Sequence, residues 1–211
     1  MRLARSEYVP LRTTPLFALL SAAVVLGATA CGSGGGAPAN ATRKPAPRFR
    51  GAAVKPAVVP KDFALRDQSG RLVRLSALRG KIVVVSFLYT HCPDVCPLIA
   101  SNLDQALRLL GPRARDVRML AVSVDPKGDT PASVRRFVRR HRLLSEFRYL
   151  TGTRRQLAPI WNAYHVAVTP GGTIGHSAYE LLVDQHGRGR LLYDSQVKGA
   201  DVAHDVRVLL G

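Results

Sequence analysis

Apolar residues in the C-terminal three quarters of the chain follow two spacings, one typical of buried strands and one typical of helices. The uninterrupted run Ile82–Leu88 is rich in β-branched residues, as in a strand covered on both faces within a parallel sheet. Val117–Val124 has the same character and predicts a second buried strand. Between them, apolar residues from Leu98 to Leu110 recur at helical spacing and stop before Gly111-Pro112, so we expect a helix to join the two strands.

Shorter patterns continue this alternation on both sides of the two buried strands. Asp67-Gln68-Ser69-Gly70 is a turn sequence between two short apolar segments, and Thr130-Pro131 has the residue types that open a helix. The sequence therefore predicts an α/β fold, a thioredoxin-like sandwich around a central mixed sheet. The remaining predicted elements are strands Phe63–Leu65, Leu72–Arg74, Phe147–Leu150, Tyr179–Val183 and Arg190–Tyr193, and helices near Arg154–Tyr164 and Asp201–Leu210.

The N-terminal region has the order of charge, apolar length and small residues that is typical of a secretory signal. Arginines in the first 12 residues precede the apolar run Leu16–Leu26, and Ala28-Thr29-Ala30-Cys31 follows. This last segment resembles a bacterial lipobox, which implies that Cys31 is acylated and becomes the mature N-terminus. An uncleaved membrane anchor over Pro15–Ala30 is the alternative, although it is short for the ~20 apolar residues of a bilayer span.

Three regions follow from these patterns. Residues 1–30 are predicted to be the signal peptide, and residues 31–60 the lipidated cysteine with a flexible tether, because Gly32–Pro60 is rich in Gly, Ala and Pro and has no acidic residue. Residues 61–211 are predicted to form the folded domain. This places the protein on the outer face of the cell membrane, outside the cytoplasm.

The net charge of +17 comes from 31 Lys and Arg against 14 Asp and Glu. Residues 1–60 hold eight of the basic residues and one of the acidic residues. Residues 61–211 therefore hold 23 basic and 13 acidic residues and carry a net charge of +10. No zinc-finger spacing, RNP-like aromatic motif or heptad-backed basic region accompanies the arginines, which argues against nucleic-acid binding. The charge is interpreted as a solvated surface that can also face anionic lipid headgroups.

Cys92 and Cys96 form the one cysteine pair of the predicted domain, in Tyr89-Thr90-His91-Cys92-Pro93-Asp94-Val95-Cys96-Pro97. They lie between a buried strand and the start of a helix, where free N–H groups and the helix dipole favour the thiolate. The pair is able to form a stabilising disulfide, to exchange disulfides with a substrate, or to bind a soft metal ion such as Cu(I). Three intervening residues differ from the usual thioredoxin spacing, and Tyr89 stands where a peroxiredoxin would need threonine, so a peroxide-reducing enzyme is the weakest alternative.

A histidine would complete a three-coordinate soft-metal site. Of six histidines, His91 adjoins the cysteines but is expected to diverge from the sulfurs, and four others are expected to have capping or solvated roles. His176 follows the glycine-rich segment Thr169–Gly175 and precedes a predicted strand. In a thioredoxin-like fold, that loop lies over the N-terminus of the cysteine helix.

Together, three motifs resemble the Sco/SenC family of copper-delivery proteins: the cysteine segment, Val122-Ser123-Val124-Asp125-Pro126 with Asp129-Thr130-Pro131, and His176-Ser177 before a strand. The resemblance implies one copper ion, Cu(I) or Cu(II), bound by Cys92, Cys96 and His176. It implies a role in maturing the binuclear copper centre of cytochrome c oxidase, so that the copper-centre subunit is a partner. A thioredoxin-like reductant outside the cytoplasm would keep the two cysteines reduced.

Two questions stay open at this level. The protein is either primarily a metallochaperone or a thiol-disulfide oxidoreductase in which Cys92 attacks, Cys96 resolves and His176 is incidental. Asp125 is assigned to the surroundings of the metal site by the resemblance, while a role as a turn residue before Pro126 explains it equally well. Asp129 and Thr130 are assigned to helix capping, and Trp161 to the core or a partner contact.

Overall fold

The computed structural model describes residues 49–168 and 179–211. Within these residues the chain forms eight strands and four α-helices. The strands are β1 Ala52–Val58, β2 Ala64–Arg66, β3 Leu72–Arg74, β4 Ile82–Leu88, β5 Val117–Ser123, β6 Phe147–Leu150, β7 Tyr179–Val183 and β8 Gly189–Asp194. The helices are α1 Val95–Leu110, α2 Pro131–Arg140, α3 Arg154–Ala163 and α4 Gly199–Leu210.

Six strands form the central sheet in the order β1-β8-β7-β4-β5-β6. Strands β4, β5 and β6 are parallel to one another, whereas β1, β8 and β7 are each antiparallel to the strand that follows them in this order. All seven residues of β4 are buried, because β4 is central and both faces of the sheet are covered. The predicted α/β class with a central mixed sheet is confirmed.

Two apolar clusters cover the two faces of the sheet. Val84 of β4 belongs to the cluster beneath α1, α2 and α4. Val83 and Val85 point to the opposite cluster, which includes α3 and the β2–β3 hairpin. Alternation along a strand directs neighbouring side chains to opposite faces, so this central strand holds the two layers together. The side that carries α1 also carries the two cysteines.

Strand β1 was not predicted, since it lies in the segment assigned to the flexible tether. Ala52–Val58 pairs with the outer edge of β8 in antiparallel register, with Ala52 opposite Leu192. The tether assignment is therefore wrong for these residues, and the ordered domain begins before Lys61. The strand is mostly exposed, so it has none of the apolar alternation by which a strand is recognised in sequence.

The predictions for the signal peptide, for the anchor over residues 15–30 and for Cys31 concern residues outside the described ranges. Among the residues that are described, no helix has the length and apolar character needed to cross a membrane.

Candidate metal centre

The two domain cysteines lie where β4 leads into α1. β4 ends at Leu88, a short turn contains Cys92, and Cys96 is the second residue of α1. Asp94 precedes the helix, but its side chain caps no backbone N–H. The Cys96 N–H instead donates to Cys92 Sγ at 3.4 Å, so the Cys92 sulfur satisfies one of the free donors at the helix start. Neither cysteine forms a disulfide in this structure.

The two sulfurs differ in exposure and in acidity. Cys92 retains 8% exposure and Cys96 1%. Burial alone would raise the pKa of Cys92, but hydrogen bonds from the backbone of Asp94 and from Cys96 outweigh it and lower that pKa. Burial, together with the neighbouring Cys92, raises the pKa of Cys96 well above its ordinary value. Cys92 is therefore the nucleophilic and more accessible sulfur, and Cys96 is its buried partner.

Tyr89 contributes to this site in a role that no pattern in the sequence indicates. Its carbonyl oxygen accepts the Cys92 N–H at 3.3 Å. Burial and a hydrogen bond to Cys92 raise the pKa of Tyr89 to about 12. The phenol therefore keeps its proton at neutral pH and donates to the Cys92 sulfur, which helps to stabilise the thiolate.

Asp129 is a buried acceptor behind the cysteine loop and not the helix cap that was predicted. Its carboxylate accepts the Thr90 N–H at 2.8 Å, the Ser123 hydroxyl at 2.6 Å and the Tyr149 hydroxyl at 3.1 Å. Burial raises its pKa even though these hydrogen bonds act in the opposite direction. The network joins the cysteine loop to β5 and β6. Thr130 does cap α2, because its hydroxyl accepts the Ser133 N–H at 3.2 Å.

Asp125 orders the turn that follows β5 and also lies close to the cysteine loop. Its carboxylate accepts the Gly128 N–H at 3.0 Å. A Cβ atom at Gly128 would lie 2.1 Å from Asp125 Oδ2 and 3.0 Å from His91 Nδ1, so a larger residue there would displace the Asp125 carboxylate. The charge of Asp125 also contributes to the raised pKa of Tyr89. The structure thus shows the predicted turn role, in the surroundings of the cysteines.

The described histidines add no third ligand to the cysteines. His91 Nδ1 lies 3.2 Å from the Thr90 hydroxyl. Across the described ranges, no cluster of three or more His, Cys, Asp or Glu side chains has the arrangement needed to hold a metal ion. His176, the predicted third ligand, lies outside the described residues. Trp161 is buried in the core and donates to the Ser123 carbonyl at 2.9 Å, which settles its assignment in favour of the core.

The fold and the site together define a class: a thioredoxin-like domain with two cysteines at the start of the helix after the central strand. This arrangement supports thiol-disulfide exchange, and it also supplies two sulfur ligands to a soft metal ion. The model of the SCO1/SenC family matches residues 52–211. The chain belongs to the SCO1/SenC family, and the sequence-based resemblance is confirmed.

Two solved structures illustrate the similarity. The structure of Bradyrhizobium japonicum ScoI with copper bound is 30% identical, with a TM-score of 0.63 over 72% of this chain and 99% of that one. Apo Sco1 from Thermus thermophilus is 31% identical, with a TM-score of 0.64 over 77% of this chain and 97% of that one.

Curated relatives show the same family over shorter alignments. A SCO2-like protein of Rickettsia conorii is 26% identical over 135 residues, which are 60% of this chain and 65% of the relative. The mitochondrial SCO2 homolog of Bos taurus is 38% identical over 114 residues, which are 52% of this chain and 41% of the relative. The chain thus spans less than two thirds of the length of these relatives.

Proposed function

We propose that this chain is a copper-binding protein that receives one copper ion as cargo and passes it to the binuclear copper centre of cytochrome c oxidase. The paired sulfurs of Cys92 and Cys96 carry this proposal, because two cysteines at one helix start suit Cu(I). A copper-bound relative that is 30% identical over 72% of this chain supports the choice of metal.

His176 is proposed as the third ligand. The register of the sheet supports this assignment, since Val85 of β4 lies opposite Leu181 of the antiparallel strand β7. β7 therefore starts at the sheet edge where β4 ends, which is the edge that carries the cysteines. An imidazole added to two thiolates would complete a three-coordinate site for soft copper.

Thiol-disulfide exchange is the second candidate function. The unequal acidity of the two sulfurs favours it, because a thiolate at Cys92 suits the attacking role and a buried thiol at Cys96 suits the resolving role. In that case the chain would prepare the cysteines of the oxidase copper-centre subunit, and a thioredoxin-like reductant would restore its own pair. We further propose that the chain works on the outer face of the cell membrane, attached through a lipid on Cys31.

Copper titration of the reduced protein tests the main proposal. We expect one Cu(I) per chain, no binding after Cys92→Ser or Cys96→Ser, and binding weakened by more than about tenfold after His176→Ala. His186→Ala is the matched control, because His186 is exposed in the β7–β8 turn and its loss should leave copper binding unchanged.

The oxidised protein separates the two functions. A disulfide removes both thiolates, so it should bind no copper through them. Equal copper binding by oxidised and reduced samples would exclude the cysteines as ligands and overturn the copper proposal. Disulfide reduction that survives His176→Ala, in a variant that no longer binds copper, would show that the exchange chemistry is independent of the metal.

A further inference from the structure

Helix α2 concentrates positive charge beside the cysteine loop. Arg135, Arg136, Arg139 and Arg140 lie in its last two turns, and the helix contains no acidic residue. None of the four forms an ion pair with a carboxylate in the part of the chain that the structure describes. Since all four side chains are exposed, their charge is available to a partner.

Two of these arginines face the site. Arg136 and Arg140 are one helical turn apart and line a cleft of about 400 Å³ that also includes Thr90, His91, Cys92 and His141. No acidic residue among those described lines this cleft. Phe137 is buried beneath it, with its ring packed on Tyr149, so the helix that presents the two guanidinium groups is fixed against the core.

Cys92 is the cysteine that lines the cleft. It is the more exposed of the two sulfurs, and it lines the same cleft as the two guanidinium groups. Two guanidinium groups on the same cleft supply permanent positive charge and bind carboxylates with two parallel hydrogen bonds.

We infer that the cleft between α2 and the cysteine loop binds a carboxylate-rich segment of the protein that exchanges copper or electrons with Cys92. The inference rests on the proposed function, because it assumes that a protein partner approaches these cysteines. A protruding segment fits the concave surface between Arg136, Arg140 and Cys92. A flat lipid surface would instead meet the outward-facing Arg135 and Arg139 at least as well.

Two synthetic peptides test the inference. Each has eight residues and one central cysteine activated as a 2-thiopyridyl disulfide, flanked by four glutamates in one peptide and by four lysines in the other. The Cys92 thiolate attacks the peptide sulfur and releases pyridine-2-thione. Cys96 loses its proton to solvent and attacks Cys92 Sγ, which releases the peptide thiol, so the pair gives up two electrons and the activated disulfide accepts them.

The rate of pyridine-2-thione release is the measurement, with the reduced, copper-free protein. We expect the glutamate peptide to react about tenfold faster than the lysine peptide at low ionic strength, and the ratio to fall as salt is added. Arg136→Gln with Arg140→Gln should remove the preference. The matched control is Arg135→Gln with Arg139→Gln, which removes the same charge at the same spacing from the same helix. This control should keep most of the preference for the glutamate peptide.

Failure of this inference can be distinguished from failure of the copper proposal. Circular dichroism confirms folding of both double variants, and the Arg136/Arg140 variant should still bind one Cu(I). The inference would be overturned if the unmodified protein reacted with the two peptides at equal rates. It would also be overturned if both double variants lost the preference for the glutamate peptide to the same extent. Binding to vesicles that contain phosphatidylglycerol is measured as well. If vesicle binding requires Arg136 and Arg140 while the protein shows no preference between the two peptides, the cleft contacts lipid and the inference is overturned.

Discussion

Glu180 and Ser86 are two buried polar side chains for which the proposed function has no use. Glu180 Oε2 and Ser86 Oγ have no hydrogen-bond partner among the described residues. The register that pairs Val85 with Leu181 places Ser86 opposite Glu180 when it is continued by one residue. Strand alternation therefore places both residues on the sheet face of Val84 and Leu182, beneath α1. Burial, reinforced by the charge of Asp194, raises the pKa of Glu180 well above its ordinary value.

This carboxyl group makes the stability of the domain depend on pH. The folded protein keeps the proton on Glu180 at pH values where the unfolded chain has released it, so the free energy of unfolding decreases as pH rises above 4.5. Glu180→Gln should remove this pH dependence of the free energy of unfolding. We expect the free energies of unfolding of the variant and the parent to be closest below pH 4.5. Above pH 4.5 the variant should become more stable than the parent by up to about 1.4 kcal/mol per pH unit, until Glu180 ionises in the folded parent.

Urea unfolding at several pH values between 4 and 8 measures this difference. Ser86→Ala is the control, because it changes the opposing position without altering a titrating group, and its effect should not vary with pH. A stability difference between Glu180→Gln and the parent that stays constant from pH 4 to 8 would show that Glu180 ionises normally.

At the scale of elements, β1 depends on one carboxylate of α4. Asp205 is 0% exposed and accepts the N–H groups of Arg50 at 2.9 Å and Gly51 at 2.8 Å, together with the Tyr193 hydroxyl at 2.8 Å. Gly51 leaves no space for a side chain, since a Cβ atom there would lie 2.8 Å from the Tyr193 ring. The start of β1 is thus fixed by contacts with α4 and β8.

Asp205→Ala should loosen this strand and lower the free energy of unfolding by roughly 2–4 kcal/mol, because several buried donors lose their acceptor. Hydrogen exchange at Ala52 and Ala53 should accelerate more than exchange in β4. Asp201→Ala is the matched control: it removes the same charge from the same helix at a half-buried position and should cost well under 1 kcal/mol. Unchanged exchange in β1 after Asp205→Ala would contradict this account of the strand.

The elements differ in how far the sequence reveals them, for physical reasons. β4 and α1 could be predicted because burial imposes an apolar run on the strand and a helical repeat on α1. β1 could not, because it is an exposed edge strand whose position depends on Asp205, about 150 residues away in sequence. The cysteines could be found from their spacing. The hydrogen bonds that Asp129 accepts, and the proximity of Arg136 to Cys92, arise from packing between distant segments.

At the scale of the whole molecule, the position of β1 limits how far the domain would extend from a lipid on Cys31. The predicted tether ran to residue 60. With ordered structure described from Phe49 onward, residues 32–48 would connect the lipid to the domain. At about 3.5 Å per residue these span at most about 60 Å. If Cys31 carries a lipid, the first described residue of the domain therefore lies no farther than about 60 Å from the membrane surface.

Mass spectrometry of the membrane fraction tests the anchor on which this geometry depends. We expect a mature chain that starts at Cys31 and carries acyl groups on that residue, because the arginines, the apolar run Leu16–Leu26 and the small residues before Cys31 follow the order of a lipoprotein signal. Cys31→Ser should lack the acyl mass. A mature chain that retains Met1, or one recovered soluble and unacylated, would contradict the lipid anchor. Retention of Met1 in the membrane fraction would instead favour the uncleaved span over residues 15–30.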